Sequence, residues 1–371
     1  MATPDLIPVA DPKGDTLRYQ AAIQQVMERV LHSGYYILGP EVQAFEEEFA
    51  AWLNVQHCIG VASGTDALAL ALRSCGIGQG DEVITVSLTA VATVAAIEQI
   101  GAVPVFADID PLTRCLDPAL LPALLTKRTK AIVPVHLYGQ PAPMPVIMDF
   151  AAGHGLMVVE DCAQAHGAEI AGQRVGSFGH AAAFSFYPTK NLGAVGDGGA
   201  VVTSRDDLAE TCRALRQYGW KERFISTVPG INSRLDELQA AILRVKLPFL
   251  ADDNQLRRQL GEQYCTAMTG SDLTPPSQIA GTMHAMHLFV AETPKRDELR
   301  VFLQGYGIAT ALHYPKPVHH QPAYLGRIRG GANLPATDTT TERIVTLPLF
   351  PSLDSQRVKR ICEALAAWQE R

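Results

Sequence analysis

The chain has 371 residues, 47% of them hydrophobic and 19% charged, with a formal net charge of −7 at pH 7. That length is enough for about two domains with a large buried core, and the acidic balance argues against a dedicated nucleic-acid-binding protein. The seven cysteines lack the spacing of metal fingers or of a C-x-x-C motif, which predicts free thiols. Because the N-terminus lacks a secretory pattern and no apolar stretch nears the roughly 18 residues of a membrane-spanning helix, we expect a cytoplasmic protein without a membrane partner.

Strand-like and helix-like segments alternate along the first part of the chain, from His57 to about Glu210. Apolar residues run continuously through the predicted strands, which is typical of a mostly parallel sheet covered on both faces. The predicted strands comprise residues 57–62, 82–86, 103–107, 131–136, 156–160, 182–186 and 200–203. This pattern predicts an α/β fold.

The character of the sequence changes after about residue 240. A long helical pattern from Leu235 to Leu256 is interrupted by Pro248, and shorter strands and helices follow it. We therefore predict a large domain over residues 1–240, which includes an N-terminal arm. A smaller C-terminal α/β domain is predicted over residues 241–371.

The most informative segment joins the predicted strand 182–186 to a glycine-rich loop. Pro188 ends the apolar run, Lys190 follows it, and glycines occupy positions 193, 196, 198 and 199. In an exposed turn such a lysine would be an ordinary solvated residue. Between a buried strand and closely packed backbone, however, its amine could form an imine with a bound carbonyl compound.

A candidate anion site lies between a predicted strand and a predicted helix, at Ser63, Gly64 and Thr65. Exposed N–H groups at a helix N-terminus bind anions, although a simple helix cap uses the same residue types. Ser185, just inside the strand that precedes Lys190, could reach the same place or bond only to the backbone. Ligands of parallel sheets collect beyond the carboxyl ends of the strands, so we expect these residues to converge.

Asp161 directly follows the apolar strand 156–160. A carboxylate at the end of a buried strand can hold a cationic ring nitrogen, or it can be an ordinary loop acid. Gln164, three residues later, can donate a hydrogen bond to a ring oxygen. An anion cradle, a carboxylate for a ring cation and the Lys190 amine together describe a site for pyridoxal phosphate.

Five segments extend this interpretation to a family. In their order along the chain they resemble the DegT/DnrJ/EryC1/StrS family of sugar aminotransferases, and the resemblance covers nearly the whole chain. The segments are residues 34–42, 62–68, 160–168, 184–191 and 230–243. The resemblance implies a fold-type I, pyridoxal-phosphate-dependent transferase whose homodimer shares its active sites between subunits.

The resemblance also implies roles around the cofactor ring. It makes Lys190 the catalytic residue, joined to pyridoxal phosphate as a Schiff base, and it places Asp161 at the pyridine nitrogen and Gln164 at the ring hydroxyl oxygen. One position departs from the family pattern, because Ala90 stands where an aromatic residue usually stacks on the ring. That face of the ring is then covered by another side chain or by the substrate.

The phosphate group, by the same resemblance, is held by Gly64, Thr65 and Ser185. Asn232 is expected to reach this phosphate from the partner subunit. Arg234 is expected to lie near the sugar nucleotide.

The histidine-rich run of residues 313–320 suggests a substrate loop, in which we predict that His319 and His320 bind substrate. Histidines at this spacing could also hold a metal ion. No acidic ligand or metal motif accompanies them in the sequence, and the family needs no metal, so we predict no metal site.

The activity implied by the resemblance is transfer of the amino group of glutamate to a keto-sugar nucleotide. Residues 218–220 and 232–235 are more similar in sequence to the branch that aminates C-3 of a 6-deoxy-3-ketohexose than to the branch that aminates C-4. Amination at C-4 stays an alternative. A cofactor-binding regulatory protein could retain the same motifs and is a further alternative. The expected partners are therefore the keto-sugar nucleotide, glutamate and a second copy of the chain.

Overall fold

The computed structural model describes residues 5–368, in which helices and short strands alternate. The helices are α1 Pro12–Leu17, α2 Gln20–Ser33, α3 Pro40–Leu53, α4 Gly64–Ser74, α5 Val91–Gln99, α6 Leu121–Leu124, α7 Met144–His154, α8 Asp206–Leu215, α9 Glu237–Lys246, α10 Leu250–Ala267, α11 Arg296–Gly305, α12 Pro335–Arg343 and α13 Ser355–Trp368. The strands are β1 His57–Val61, β2 Glu82–Val86, β3 Val103–Ala107, β4 Thr129–Ile132, β5 Met157–Asp161, β6 Glu169–Ile170, β7 Gln173–Arg174, β8 Ala181–Ser185, β9 Gly199–Thr203, β10 Trp220–Glu222, β11 Ile225–Ser226, β12 Thr282–Met283, β13 Phe289–Glu292 and β14 Ile344–Leu347. Short 3-10 turns cover Pro118–Leu120, Leu137–Gly139, Leu247–Phe249 and Val318–His320.

The central sheet has seven strands in the order β1-β9-β8-β5-β4-β2-β3. The strands from β8 to β3 pair in parallel, whereas β9 is antiparallel to both of its neighbours. This arrangement confirms the predicted α/β fold with a mostly parallel sheet. The strand predicted at residues 131–136 is displaced toward the N-terminus, because β4 covers Thr129–Ile132. The strand ends two residues before Pro134, which has no N–H to donate to a neighbouring strand.

Both faces of this sheet are covered, as the continuous apolar strands predict. In β8, Ala181 and Ala183 pack in a cluster with residues of α4, whereas Ala182 and Phe184 pack in a cluster with residues of α3. Successive side chains of a strand point to opposite faces, so the two helices lie on opposite sides of the sheet. A strand buried in this way needs apolar residues at every position.

The C-terminal part has its own apolar cluster around the antiparallel pair β13–β14. Tyr264 of α10, Phe289 of β13 and Ile361 of α13 are fully buried there. Pro248 interrupts the predicted long helix, because α9 ends before the 3-10 turn at 247–249 and α10 begins after it. The proposed domain boundary at residue 240 falls inside α9, which packs on α2 and α3, and this boundary stays a prediction.

Two predictions drawn from composition concern the cysteines and the membrane. All seven cysteines are free thiols, as their spacing predicts. Between residues 5 and 368, none of the helices combines the length and the apolar content that crossing a membrane requires.

Candidate active site

The loop that carries Lys190 returns tightly to the end of β8. Phe186 N donates to Gly198 O at 2.8 Å, and Ala194 N donates to Phe186 O at 2.8 Å, so the loop closes on itself. A Cβ atom on Gly193 would lie 2.5 Å from the carbonyl oxygen of Pro188. The backbone approaches too closely for a side chain there, as the glycine-rich sequence predicts.

Helix α9 holds this loop from outside. Lys246 Nζ donates to Gly193 O at 2.8 Å, and Gln239 Oε1 accepts from Val195 N at 2.9 Å. The loop is thereby fixed at two points, and Lys190 extends from a constrained backbone. Because the backbone is constrained, the Lys190 amine has a restricted range of positions.

Lys190 and Asp161 form the electrostatic centre of the site. Burial lowers the pKa of Lys190 to about 8, and the charge of Asp161 opposes that shift. Among residues 5–368, Lys190 Nζ has no hydrogen-bond or ion-pair partner, so its lone pair is available once the amine is neutral. An amine of this kind is a stronger nucleophile at neutral pH than an ordinary lysine.

Asp161 lies at the end of β5 and is almost completely buried. Burial raises the pKa of Asp161, whereas hydrogen bonds from Thr93 and Ala163 and the charge of Lys190 lower it. Thr93 Oγ1 donates to Asp161 Oδ2 at 2.8 Å, and Ala163 N donates to Oδ1 at 3.2 Å. A cationic ring nitrogen would add a positive partner and favour the ionised carboxylate further.

Thr93 is a positioning residue that the sequence analysis did not identify. It belongs to the first turn of α5, and its hydroxyl also lies 2.8 Å from that of Thr89. Its position in the Val-Ala-Thr triplet beside Ala90 was the available signal, but a threonine in a helix carries no chemistry by itself. Only the packing of α5 against the end of β5 shows that this hydroxyl orients Asp161.

We expect Thr93→Val to lower kcat/KM roughly 10–100-fold, because a hydrogen bond to a charged group contributes about 1.5–3 kcal/mol. Thr93→Ser should restore most of the rate. The pH profile separates positioning from general destabilisation, since the acidic limb should move to higher pH when Asp161 loses this donor. Thr85→Val is a matched control, because Thr85 is also buried but donates to Val133 O.

The start of α4 and the end of β8 form the predicted anion cradle. Ser63 caps the helix, since its Oγ accepts from Asp66 N at 3.1 Å. A Cβ atom on Gly64 would lie 2.6 Å from the Cβ of Ser185, so these two residues are in direct contact. The structure therefore brings Gly64, Thr65 and Ser185 together at a helix N-terminus, where N–H groups and hydroxyls favour an anion.

A cavity of about 330 Å³ opens beside Lys190. Residues 9–15 of the N-terminal segment cover one part of it, and Gln164 lines another. Gln164 Oε1 accepts from Tyr138 N at 2.7 Å, and its Nε2 donates to the hydroxyl of Tyr314 at 2.9 Å. The side chain is thus held at the cavity wall, and its contact with a ring oxygen stays a prediction.

The histidine-rich run reaches the cavity with its first two residues. His313 and Tyr314 line it, whereas His319 and His320 are not among its lining residues. His319 is buried against Ser87, with its Nδ1 2.7 Å from the serine Oγ. Both histidines belong to a 3-10 turn, and their substrate contacts stay predictions.

Asn232 and Arg234 also lie outside the cavity lining. Asn232 is exposed, and Arg234 is partly exposed. Ser233, between them, accepts from Ala62 N at 3.0 Å and donates to Asp66 Oδ2 at 2.6 Å. The segment is therefore attached to the start of α4, and the roles of Asn232 and Arg234 stay predictions.

Ala90 caps α5 and is only partly buried, so it offers a methyl group where the family pattern has an aromatic ring. Aromatic side chains nevertheless line the cavity beside Lys190. They are Tyr187, His287, His313, Tyr314 and Phe350. The cavity can therefore present an aromatic surface without an aromatic residue at position 90.

These residues fit pyridoxal phosphate. The amine of Lys190 suits its aldehyde, and the buried carboxylate of Asp161 suits its ring nitrogen. The contact of Gly64 with Ser185 forms a cradle that a larger side chain would fill, which suits the phosphate. The donor set thus matches three separate chemical groups of one molecule.

Known proteins resemble this chain over nearly its full length. The model of the DegT/DnrJ/EryC1/StrS aminotransferase family matches residues 18–366. The dTDP-3-amino-3,4,6-trideoxy-alpha-D-glucose transaminase of Streptomyces venezuelae is 44% identical over 98% of this chain and 97% of its own length. The pleiotropic regulatory protein of Geobacillus stearothermophilus is 43% identical over 97% of this chain and 98% of its own. The crystal structure of S. venezuelae DesV with a ketimine intermediate superposes with a TM-score of 0.96 at 44% identity, covering 99% of both chains.

Proposed function

Because this chain belongs to the DegT/DnrJ/EryC1/StrS aminotransferase family, we propose that it transfers an amino group from glutamate to C-3 of a 3-keto-6-deoxyhexose nucleotide. Family membership makes it a nucleotide-sugar aminotransferase with pyridoxal phosphate as its cofactor. One observation carries the proposal: the amine of Lys190 is buried within the electrostatic influence of a buried carboxylate, Asp161, and lines a cavity. A buried amine near a buried carboxylate suits a site that forms an imine with a bound, positively charged ring compound.

Pyridoxal phosphate, when bound, supplies an aldehyde and a ring that withdraws electrons from the bond to be broken. Asp161 would keep the ring nitrogen protonated, because its carboxylate is buried and accepts a hydrogen bond from Thr93. Gly64, Thr65 and Ser185 would hold the phosphate at the start of α4. Lys190 Nζ would accept the proton from the Cα atom of the amino donor and later give it up, since its pKa of about 8 suits both roles.

The preference for C-3 is supported by sequence similarity. Residues 218–220 and 232–235 resemble the C-3 branch, and the relative from S. venezuelae is named for a 3-amino sugar. A 4-keto-sugar nucleotide is the alternative acceptor. We propose the 3-keto compound as the preferred acceptor.

Arg257 supports a dicarboxylate donor such as glutamate. It lines the cavity beside Lys190 and is almost completely buried. Its Nη1 donates to Leu349 O at 2.9 Å, and its Nε has no hydrogen-bond partner among residues 5–368. A buried guanidinium with an unused donor suits a carboxylate of the amino donor.

We expect Arg257→Lys to raise the KM for glutamate roughly 10–100-fold, because a charge-assisted hydrogen bond contributes about 1.5–3 kcal/mol. The KM for the sugar nucleotide should change less than about twofold. Arg258→Lys is a matched control, since Arg258 lines a different cavity. Equal changes in both Michaelis constants for Arg257→Lys would argue against this role.

We also propose a homodimer that shares its active sites. Tyr35, Tyr36 and Ile37 are exposed apolar residues, and the backbone of Ile37 pairs with that of Asp236 just before α9. Val195, in the Lys190 loop, is also exposed and bonds to α9 through its N–H. Exposed apolar residues gathered at one end of a helix favour a protein partner beside the site.

Mixing Asn232→Ala with Lys190→Ala subunits tests whether Asn232 acts across the interface. If it does, each heterodimer regains one intact site, and random mixing should restore about a quarter of the wild-type activity. Native mass spectrometry of the mixture, with the two variants differing in mass, verifies subunit exchange. No recovery of activity, with heterodimers verified in this way, would place Asn232 and Lys190 in a site within one chain.

The function itself is tested by supplying glutamate with 3-keto and 4-keto nucleotide sugars and measuring 2-oxoglutarate and amino sugar. We expect the highest kcat/KM with a 3-keto-6-deoxyhexose nucleotide. A higher value for a 4-keto compound would reject the C-3 assignment. The regulatory alternative, favoured by the name of the relative from G. stearothermophilus, predicts no 2-oxoglutarate even when cofactor is bound. The cytoplasmic location stays a prediction.

A further inference from the structure

A group of metal-ligand side chains lies outside the cavity beside Lys190. His319 Nε2 is 3.1 Å from Asp338 Oδ1, and His320 Nε2 is 3.7 Å from the same oxygen. All three ligand atoms lie within 4.8 Å of one another. No acidic residue lies near these histidines in the sequence, because Asp338 is on α12 and only the fold brings it to them.

The separations suit one small cation. Zinc binds nitrogen and oxygen ligands at about 2.0–2.2 Å, so two ligands at a tetrahedral angle lie roughly 3.3 Å apart. The two measured separations bracket that value. His320 is exposed and Asp338 is partly exposed, which leaves an entry path and room for water as a further ligand.

Asp338 Oδ1 has an unusual environment for a carboxylate oxygen. The atom is buried, and two imidazole nitrogens face it, of which only His319 Nε2, at 3.1 Å, lies within hydrogen-bond distance. One cation placed between the three atoms would satisfy all of them at once. A proton shared with Asp338 Oδ1 would form a hydrogen bond to only one of the two histidines.

Ser87 orients the first of these ligands. Its Oγ accepts from the backbone N–H of His319 at 3.0 Å and lies 2.7 Å from His319 Nδ1. When Nδ1–H donates to Ser87, the lone pair of Nε2 faces Asp338. A hydrogen bond to the second ring nitrogen is the usual means by which proteins orient a metal-binding histidine.

Another group of potential ligands lacks these properties. His136, Glu160 and Cys162 lie close together but are completely buried. His136 Nδ1 accepts from Ala142 N at 2.9 Å, its Nε2 lies 3.0 Å from Glu160 Oε2, and Glu160 also accepts from three backbone N–H groups. Their hydrogen-bonding capacity is already used within the core.

We propose that His319, His320 and Asp338 bind a divalent transition-metal ion such as zinc. The ion would link α12 to the turn at 318–320, which Ser87 in turn connects to the end of β2. Two imidazoles and one carboxylate suit zinc, cobalt or nickel better than magnesium or calcium. Ser87 lies two residues before Thr89, whose hydroxyl contacts Thr93. The site therefore stabilises the framework behind Asp161 and is separate from the amino-transfer chemistry.

Calorimetric titration of the untagged, cofactor-loaded protein with zinc sulfate, after chelator treatment, tests the proposal. We expect one zinc ion per chain, with affinity reduced at least about tenfold in both His320→Ala and Asp338→Asn. Zinc should also raise the unfolding temperature of the wild type but not of Asp338→Asn. Cobalt(II) provides a second measurement, since its visible absorption on a tetrahedral site should be lost in both variants.

His154→Ala is the matched control, because His154 is an exposed histidine at the end of α7. Its zinc affinity should equal that of the wild type. The absence of zinc binding would overturn the proposal, as would binding that persists unchanged in both site variants. Unchanged circular dichroism and cofactor content in His320→Ala would show that any loss of binding comes from the ligand and not from misfolding.

Discussion

Lys190→Ala is expected to lower amino transfer by at least about a thousandfold, because one substitution removes both the covalent attachment and the acid–base group. Both half-reactions should fail, including the conversion of glutamate to 2-oxoglutarate. Lys190→Arg should fail equally, since a guanidinium keeps the positive charge but neither attacks the aldehyde nor exchanges protons at neutral pH. Lys130→Ala, on the exposed side of β4, is the control.

Borohydride reduction followed by peptide mapping identifies the amine directly. The label is expected on the peptide that contains Lys190. Lys246 provides a comparison within the same molecule, because burial also lowers its pKa to about 8. Its Nζ, however, donates to Gly193 O at 2.8 Å and to Thr16 Oγ1 at 3.1 Å, so it should stay unlabelled. A fully loaded protein without label at position 190 would contradict the assignment.

The lowered pKa also predicts how capture of the cofactor depends on pH. An ordinary lysine has a pKa near 10.5, whereas that of Lys190 is about 8. Because the neutral amine is the reactive form, the rate of capture by cofactor-free protein should rise roughly tenfold per pH unit up to about 8 and then level off. A rate that continues to rise beyond pH 10 would show that burial does not activate this amine.

Asp161→Asn is expected to have the second-largest effect. The substitution keeps the shape of the side chain and removes the charge that holds the ring nitrogen protonated. Breaking a buried charge pair costs roughly 3–5 kcal/mol, which corresponds to about a 10²–10⁴-fold lower rate of proton removal from the donor. Cofactor binding should weaken less than the rate falls, because the Lys190 attachment and the phosphate contacts remain.

A cofactor analogue methylated on the ring nitrogen distinguishes charge from structure. The analogue carries a permanent positive charge, so it should restore part of the activity of Asp161→Asn. It should not improve the wild type, whose ring nitrogen is already protonated. If the analogue gives no recovery in a correctly folded, loaded variant, Asp161 does not act through the ring charge.

The fold was predictable because its signals are local. Continuous apolar strands alternate with helices, and this pattern alone predicts a parallel sheet with two covered faces. Pro248 lacks an N–H and interrupts the long helix where predicted. The end of β4 was less predictable, since Val133 and the residues after Pro134 are as apolar as the strand itself.

The site was only partly predictable. The convergence of Gly64 with Ser185 follows from the rule that strand ends meet at one edge of a parallel sheet, and the structure confirms it. Thr93 escaped notice because a threonine in a helix acquires meaning only from what it touches. Which member of the histidine run lines the cavity, His313, was not predictable, because the local path of the chain decides it.

The sequence by itself determined the α/β fold and the family, because each depends on short segments whose pattern is recognisable without their neighbours in the fold. The tertiary structure alone decided which groups act on those segments. Thr93 of α5 reaches Asp161 at the end of β5, and Asp338 of α12 meets two histidines across the fold. Hydrogen bonds and ligand sets depend on distances of about 3 Å between residues far apart in the chain, and only packing determines such distances.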